Sequence, residues 1–174
     1  MKLTSKRLRL RAPEPDDVDF LFILENDESM AESGFTTAPV SRFMLDEYLR
    51  HYNADIYAER QLRLVVELKD YDERIGFVDL CDFSPRDRRA FVSIALLERF
   101  RDKGYGTEAL QLVCDYARET LGLHQLAAQI AYDNEASRAL FGKCGFHTCG
   151  SMRSWVRRGP HYVDALLYQL LFPN

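Results

Sequence analysis

No apolar run in this chain approaches the ~20 residues that cross a bilayer, and the N-terminus has no apolar stretch of signal-peptide length. A soluble, cytoplasmic protein without a membrane partner is expected. A clustered basic excess is missing as well: 23 Lys and Arg stand against 27 Asp and Glu, for a net charge of −4. That balance excludes the usual nucleic-acid footprint, and no nucleic-acid partner is expected. The basic residues in "SKRLRLR" near the N-terminus alternate with apolar ones, which is a strand pattern rather than a basic arm.

The motifs of several chemistries are also missing. His51, His124, His147 and His161 show no H-x-x-x-H or H-x-E spacing, so no metal is expected. There is no G-x-S-x-G elbow, and no Lys-Ser/Thr pair after a glycine-rich loop, as a Walker A motif requires. No two of the four cysteines (Cys81, Cys114, Cys144, Cys149) have C-x-x-C spacing. Cys81, Cys114 and Cys144 lie in apolar-patterned segments and read as buried free thiols, not as a disulfide framework.

What is present is a globular composition, 47% hydrophobic and 29% charged over 174 residues, with no repeat, low-complexity tract or linker. One domain spanning 1–174 is expected. Residues 6–12 alternate as a strand, and "PEPDDVDFLFILEND" places prolines and acids ahead of an apolar run, as at a helix start. Ser41 caps a second helix over 41–55, with a loop, "SGFTTAP", at 33–39. "QLRLVVELKD", "RIGFVDLCDF" and "RDRRAFVSIALL" read as an antiparallel meander with turns at "DYDE" and "SPRD". A helix follows with Ala109, Leu110, Leu112, Val113, Tyr116 and Ala117 at helical spacing. Then come the strand "HQLAAQIAY", a short helix capped by Asn134 and stopped at Gly145, and two last strands about "GPH". The expected order is β-α-α-β-β-β-α-β-α-β-β: an α/β (α+β) chain with one mixed sheet flanked by helices.

Residues 101–106, "RDKGYG", lie between the strand ending "LLERF" and the long helix. Gly104, Gly106 and Ala109 formally match G-x-G-x-x-A, but the acidic residue due about 20 positions on is replaced by "LHQLAAQI". Glycines let a backbone approach an anion without a Cβ in the way, and the helix start adds unpaired N–H groups and positive potential. Arg101 and Lys103 add cationic side chains. On these residues alone, a pyrophosphate cradle and a plain strand–helix turn fit equally well.

Arg101-x-x-Gly104-x-Gly106 resembles the acetyl-coenzyme A signature of the GNAT superfamily of N-acetyltransferases. "NEASRALFGKCGF" (134–146) is similar to that family's later helix. "SKRLRLRAPEPDDVDFLF" resembles the opening of the branch that contains ribosomal-protein N-terminal and spermidine N-acetyltransferases. The resemblance spans about residues 5–172 and implies a mostly antiparallel sheet splayed at its middle strands.

The resemblance implies acetyl-CoA as co-substrate, with no metal. It puts Leu96 and Leu97 where the family bonds thioester and pantetheine through backbone groups. Arg101, Asp102, Lys103, Gly104, Tyr105 and Gly106 fall on the pyrophosphate loop, and Thr107 on the first helical turn. Asn134 matches the pantetheine-contacting asparagine, Ser137 and Arg138 lie on the cofactor side, and Lys143 falls toward the nucleotide. Asp79 and Asp82 occupy the strand where spermidine acetyltransferases carry acids near the acceptor amine. A solvated strand face explains them equally well, and their odd spacing points them to opposite faces unless a bulge intervenes, with Asp79 the better match.

Two departures stand out. The segment "SGFTTAPV" (33–40), where spermidine acetyltransferases carry acids of a regulatory polyamine site, has none, although Glu32 precedes it. Phe141 stands where the family often has a general-acid tyrosine. The resemblance implies an N-acetyltransferase acting by direct attack on a primary amine of a polyamine-like small molecule or of a protein N-terminus, and leaves room for a homo-oligomer. The rival reading is a catalytically weak module that senses acetyl-CoA.

Overall fold

The structure is a computed structural model; it describes residues 3–27 and 38–173. The loop read over 33–39 therefore lies, apart from Ala38 and Pro39, outside the described residues, as does Glu32.

Among the described residues, seven strands form one sheet in the order β1-β2-β3-β4-β5-β7-β6. The first four, β1 (Leu8–Arg11), β2 (Leu62–Leu68), β3 (Glu73–Ser84) and β4 (Arg89–Leu96), pair antiparallel in succession. β5 (Gln125–Ala131), β6 (His147–Arg158) and β7 (His161–Leu171) form a second antiparallel group. A parallel β4–β5 pairing joins the two groups, and it is only three residues long: Arg89 to Phe91 against Gln125 to Ala127.

The helices follow the sequence pattern. A 3-10 turn at Pro15–Asp17 leads into α1 (Val18–Glu25). α2 (Arg42–Arg50) starts where Ser41 accepts a hydrogen bond from the Met44 N–H at 3.2 Å. It ends at Arg50 and does not run on to 55, because Asn53 and Asp55 turn their side chains onto backbone N–H groups. Asp55 then caps a short α3 (Ile56–Glu59) that the apolar spacing does not announce. α4 (Tyr105–Glu119) buries Ala109, Leu110, Leu112, Val113 and Ala117, the stripe expected of it. α5 (Glu135–Lys143) is capped by Asn134, and the chain leaves it through Gly145 at φ +87°. No helix among the described residues is long and apolar enough to cross a membrane.

Register sorts the side chains of β2, β3 and β4 onto two faces. Arg63 pairs with Asp79, which pairs with Ser93, so these three stand in a row on one face. α1 approaches that face, where Glu25 reaches Arg63. Leu64, Val78 and Ile94 point to the other face; on that side a Cβ added to Gly106 of α4 would come 3.4 Å from Leu140 of α5 and 3.6 Å from Leu96. The core is continuous across the sheet, with Phe77, Leu110, Leu126 and Phe146 almost fully buried. Truncating one such side chain to alanine costs about 2–5 kcal/mol.

All four cysteines are free, but the expectation of three buried thiols holds only in part. Cys114 is buried and Cys144 half-buried, whereas Cys81 is exposed. Cys81 alternates with buried Leu80 and shares the face of Asp79, which faces an open cleft instead of core.

Candidate active site

Beyond Phe91 and Ala127, β4 and β5 no longer pair. β5 continues against β7 to Ala131, while β4 continues against β3 to Leu96. A gap therefore opens between two parallel strands. The Leu97 N–H donates to Ile75 O at 2.9 Å, across from the β3 side. Alternation in an antiparallel ladder then turns the backbone groups of Ile94 and Leu96 toward the gap. Of the two leucines expected to offer backbone groups, Leu96 turns its own toward the gap, and its carbonyl accepts Arg101 Nε at 3.0 Å. Leu97 does not present its N–H: that group is held by Ile75, and its carbonyl accepts from the Phe100 N–H at 2.9 Å.

The chain leaves β4 through a 3-10 turn (Glu98–Phe100) and enters α4 by two left-handed residues, Asp102 at φ +58° and Gly104 at φ +79°. Glycine is suited to the second position because a Cβ is strained at that φ. Gly104 is the N-cap, and intrahelical bonding starts with Glu108 N–H to Gly104 O at 3.2 Å. The N–H groups of Tyr105, Gly106 and Thr107 are thus the donors of a helix start, aimed outward from a 15-residue helix. Among the described residues, a Cβ built on Gly104 would meet only Arg7 Nη2, at 3.4 Å, so the turn is open on its outer side, a geometry that leaves room for an anion. Arg101 and Lys103 fold back here: Lys103 Nζ donates to Arg99 O at 2.7 Å. Asp102 is exposed.

Asn134 follows the end of β5 and so stands on the opposite wall of the gap from Leu96. Its Oδ1 accepts from the Ser137 N–H at 3.0 Å, which fixes the amide plane and directs Nδ2 away from the helix. Arg138 Nη1 donates to Tyr132 O at 3.0 Å, and Lys143 is exposed at the far end of α5. Phe141 is 2% exposed and stands edge to face with Phe146, ring centroids 5.0 Å apart.

On the face carrying Arg63, Asp79 and Ser93 lies a cleft of about 520 Å³, lined also by Tyr48, Tyr52 and Cys81. Its floor is an ion cluster. Arg63 donates Nε and Nη2 to the two oxygens of Asp79, both at 2.8 Å, and Nη1 to Glu25 at 2.5 Å. The guanidinium lies 4.0 Å from the centroid of the Phe77 ring. Burial opposes the Arg63 charge, but Asp79 and Glu25 outweigh it and hold the guanidinium above its ordinary value. The Tyr52 hydroxyl donates to Arg63 O at 2.7 Å and accepts from the Arg63 N–H at 2.8 Å, so it acts as a strand neighbour for the start of β2. Burial pushes that hydroxyl up to about 12, and it stays protonated.

Asp79 and Asp82 part company. A register shift follows Cys81, and Asp82 adopts φ +48° within it. Asp82 is exposed, is not part of the cleft lining, and pairs with Arg89 at 3.0 Å. The acceptor role expected of Asp82 is not matched by its position, because the bulge aims its carboxylate out beside β4.

The sequence reading missed Glu25, Tyr48, Tyr52, Arg63 and Ser93 at the cleft, and Arg7 at the glycine turn. No local spacing links them. Arg63 alone left a trace, as one of two charges, with Glu67, inside the largely apolar strand "LRLVVEL".

Residues 7–147 match the model of the acetyltransferase (GNAT) domain. The chain is 26% identical over 173 residues to the uncharacterized N-acetyltransferase YoaA of Bacillus subtilis (strain 168), covering 99% of this chain and 97% of that protein. It is also 26% identical to the putative ribosomal N-acetyltransferase YdaF of the same organism, over 96% of this chain and 92% of that one. Among solved structures, the spermidine N-acetyltransferase of Vibrio cholerae in complex with CoA and spermine matches with a TM-score of 0.85 and 26% identity, over 96% of each chain. The chain belongs to the GNAT family and is an acetyl-CoA-dependent N-acetyltransferase.

Proposed function

We propose that this acetyltransferase moves the acetyl group of acetyl-CoA to a primary amine carried by a cationic small molecule of polyamine type or by a protein N-terminus, by direct attack. The observation that carries this reading is a juxtaposition: Ser93, on the wall of the charged cleft, directly precedes Ile94, whose backbone faces the gap between β4 and β5.

In this reading the N–H groups at the start of α4, with Gly104 and Gly106 keeping the approach clear, hold the pyrophosphate. Leu96 and Asn134 bind the pantetheine from the two walls, with Ser137, Arg138 and Lys143 along α5 toward the nucleotide. Acetyl-CoA supplies a thioester carbonyl that is already reactive toward amines. The Ile94 N–H, next to Ser93, stabilises negative charge on the carbonyl oxygen, while Leu96, about 6.6 Å further along the strand, is left to the pantetheine.

Asp79 holds the acceptor as its ammonium ion. Each Asp79 oxygen binds Arg63 with one lone pair and keeps another for the amine. An amine with a solution pKa of ~10.4 must lose a proton before it attacks; Ser93 and the polar cleft wall lead that proton to solvent. As the C–S bond breaks, the nitrogen gives up its second proton to water; Phe141 offers none, so the leaving thiolate, with a thiol pKa of ~8.5, is protonated from that water. The relative solved with spermine supports a polyamine acceptor, and the likeness to a putative ribosomal N-acetyltransferase keeps a protein amine as the second acceptor class.

The test is thiol release from acetyl-CoA across a panel of amines. Release with polyamines or N-terminal peptides, and none with their acetylated forms, is expected. Tight CoA binding without thiol release from any amine would favour a sensor instead.

A further inference from the structure

Glu108 sits in the first turn of α4, beside the N–H groups that the proposed function assigns to the pyrophosphate. A carboxylate there suits the helix dipole, but it would repel the anion that must bind in the same place. The structure resolves this conflict through the segment ahead of β1. Glu108 Oε1 accepts from the Arg7 N–H at 3.1 Å and from the Ser5 hydroxyl. Glu108 Oε2 accepts from Arg7 Nε at 2.7 Å and Nη2 at 2.6 Å. Burial opposes the Glu108 charge, while the Ser5 and Arg7 hydrogen bonds outweigh it and hold the carboxyl below its ordinary range.

The same guanidinium borders the glycine turn. Arg7 Nη1 donates to Lys103 O at 3.1 Å, the group lies 4.5 Å from the centroid of the Tyr105 ring, and Nη2 is the nearest atom to the open side of Gly104. We propose that Arg7 is a positioning and charge-neutralising residue of the cofactor site: it screens the Glu108 carboxylate and so keeps the mouth of α4 receptive to the pyrophosphate of CoA. This rests on the proposed function, since it presumes that CoA binds at that helix start.

Calorimetry with CoA, and with pantetheine, which has no pyrophosphate, tests it. Arg7→Gln should weaken CoA about fivefold at low salt, from two like charges acting at surface dielectric, and leave pantetheine unchanged. Glu108→Gln should bind CoA at least as tightly as the parent, and the Arg7→Gln/Glu108→Gln double variant should recover most of the loss. Arg7→Lys, which keeps the charge, should stay near the parent. CoA affinity unaffected by Arg7→Gln would overturn the proposal, and so would a double variant as weak as Arg7→Gln alone, because the arginine would then act only by shaping the turn. If Arg7→Gln does not fold, Glu108→Gln still decides: weaker CoA binding by that variant contradicts the proposal. A parent protein that binds no CoA defeats the underlying reading of function instead.

Discussion

The two sides of the site are built on opposite principles. The gap beside β4 presents backbone: open strand groups at Ile94 and Leu96, and helix-start N–H groups after a left-handed glycine. The cleft beside it presents side chains that are already paired, with one guanidinium between two carboxylates over an aromatic ring. A backbone site is set by strand ends and glycines and tolerates exchange of most side chains around it. A paired-charge site fails when one member is lost, because the remaining charges were desolvated on the strength of their partners. The binding of a common donor suits the first design, and selection of a particular acceptor suits the second.

The largest expected break is at the glycine turn. Gly104→Val places a β-branched residue at φ +79° and puts methyl groups on the open side of the turn. CoA affinity measured by calorimetry should fall by about 100-fold or more, the cost of losing about 3 kcal/mol of contacts. Near-normal affinity would mean that the pyrophosphate lies elsewhere.

Asp79→Asn tests the other design. It keeps the shape and removes the charge, leaving Arg63 with Glu25 alone. The acceptor KM should rise about 10-fold or more, and folding stability should fall by about 1–3 kcal/mol, while CoA affinity stays unchanged. Unchanged turnover of every accepted amine would return Asp79 to a purely structural role.

A second ion network, away from the cleft, sharpens the contrast. Asp17, fully buried, pairs with Arg11 and Arg74, and Glu67 pairs with Arg9 and Arg11. Burial opposes ionisation of both acids, yet the arginine hydrogen bonds hold both below their ordinary values. Their stabilisation is therefore complete above the unfolded carboxylate pKa values, and it is lost as pH falls through the lowered folded-state values. The urea midpoint should be flat from neutral pH down to about 5 and drop below about 4. A midpoint unchanged to pH 3 would contradict the pairing.

The smallest functional effect is expected at Phe141. Its burial and its contact with Phe146 give an added hydroxyl no ready partner. Phe141→Tyr should lower stability by about 1–3 kcal/mol and leave turnover within about twofold. A clear gain in turnover at unchanged melting temperature would instead put the ring edge beside the thioester.

The contrast also explains what could be read in advance. The glycine turn and the Asn134 cap are local, so they stand as contiguous motifs, and the element order follows from strand and helix periodicity. The cleft draws Glu25, Tyr48, Tyr52, Arg63, Asp79 and Ser93 from α1, the α2 region and three strands, and only the register Arg63–Asp79–Ser93 brings the strand residues into a row. Register depends on tertiary pairing and leaves little trace in spacing. The Asp82 bulge is similar: a left-handed aspartate in mid-strand follows from how β3 meets β4, and its odd spacing from Asp79 offered only a hint. Leu97 looked equivalent to Leu96 until the ladder gave its N–H to Ile75.

The proposed division of labour between backbone edge and charged cleft can be mapped directly by backbone amide NMR during two titrations. Coenzyme A should shift the amides of Ile94, Leu96, Gly104 to Thr107 and Ser137 most, and a polyamine added afterwards should shift those of Tyr52, Arg63, Asp79 and Ser93. Coenzyme A shifts centred on Arg63 and Asp79, with the start of α4 unmoved, would contradict the account.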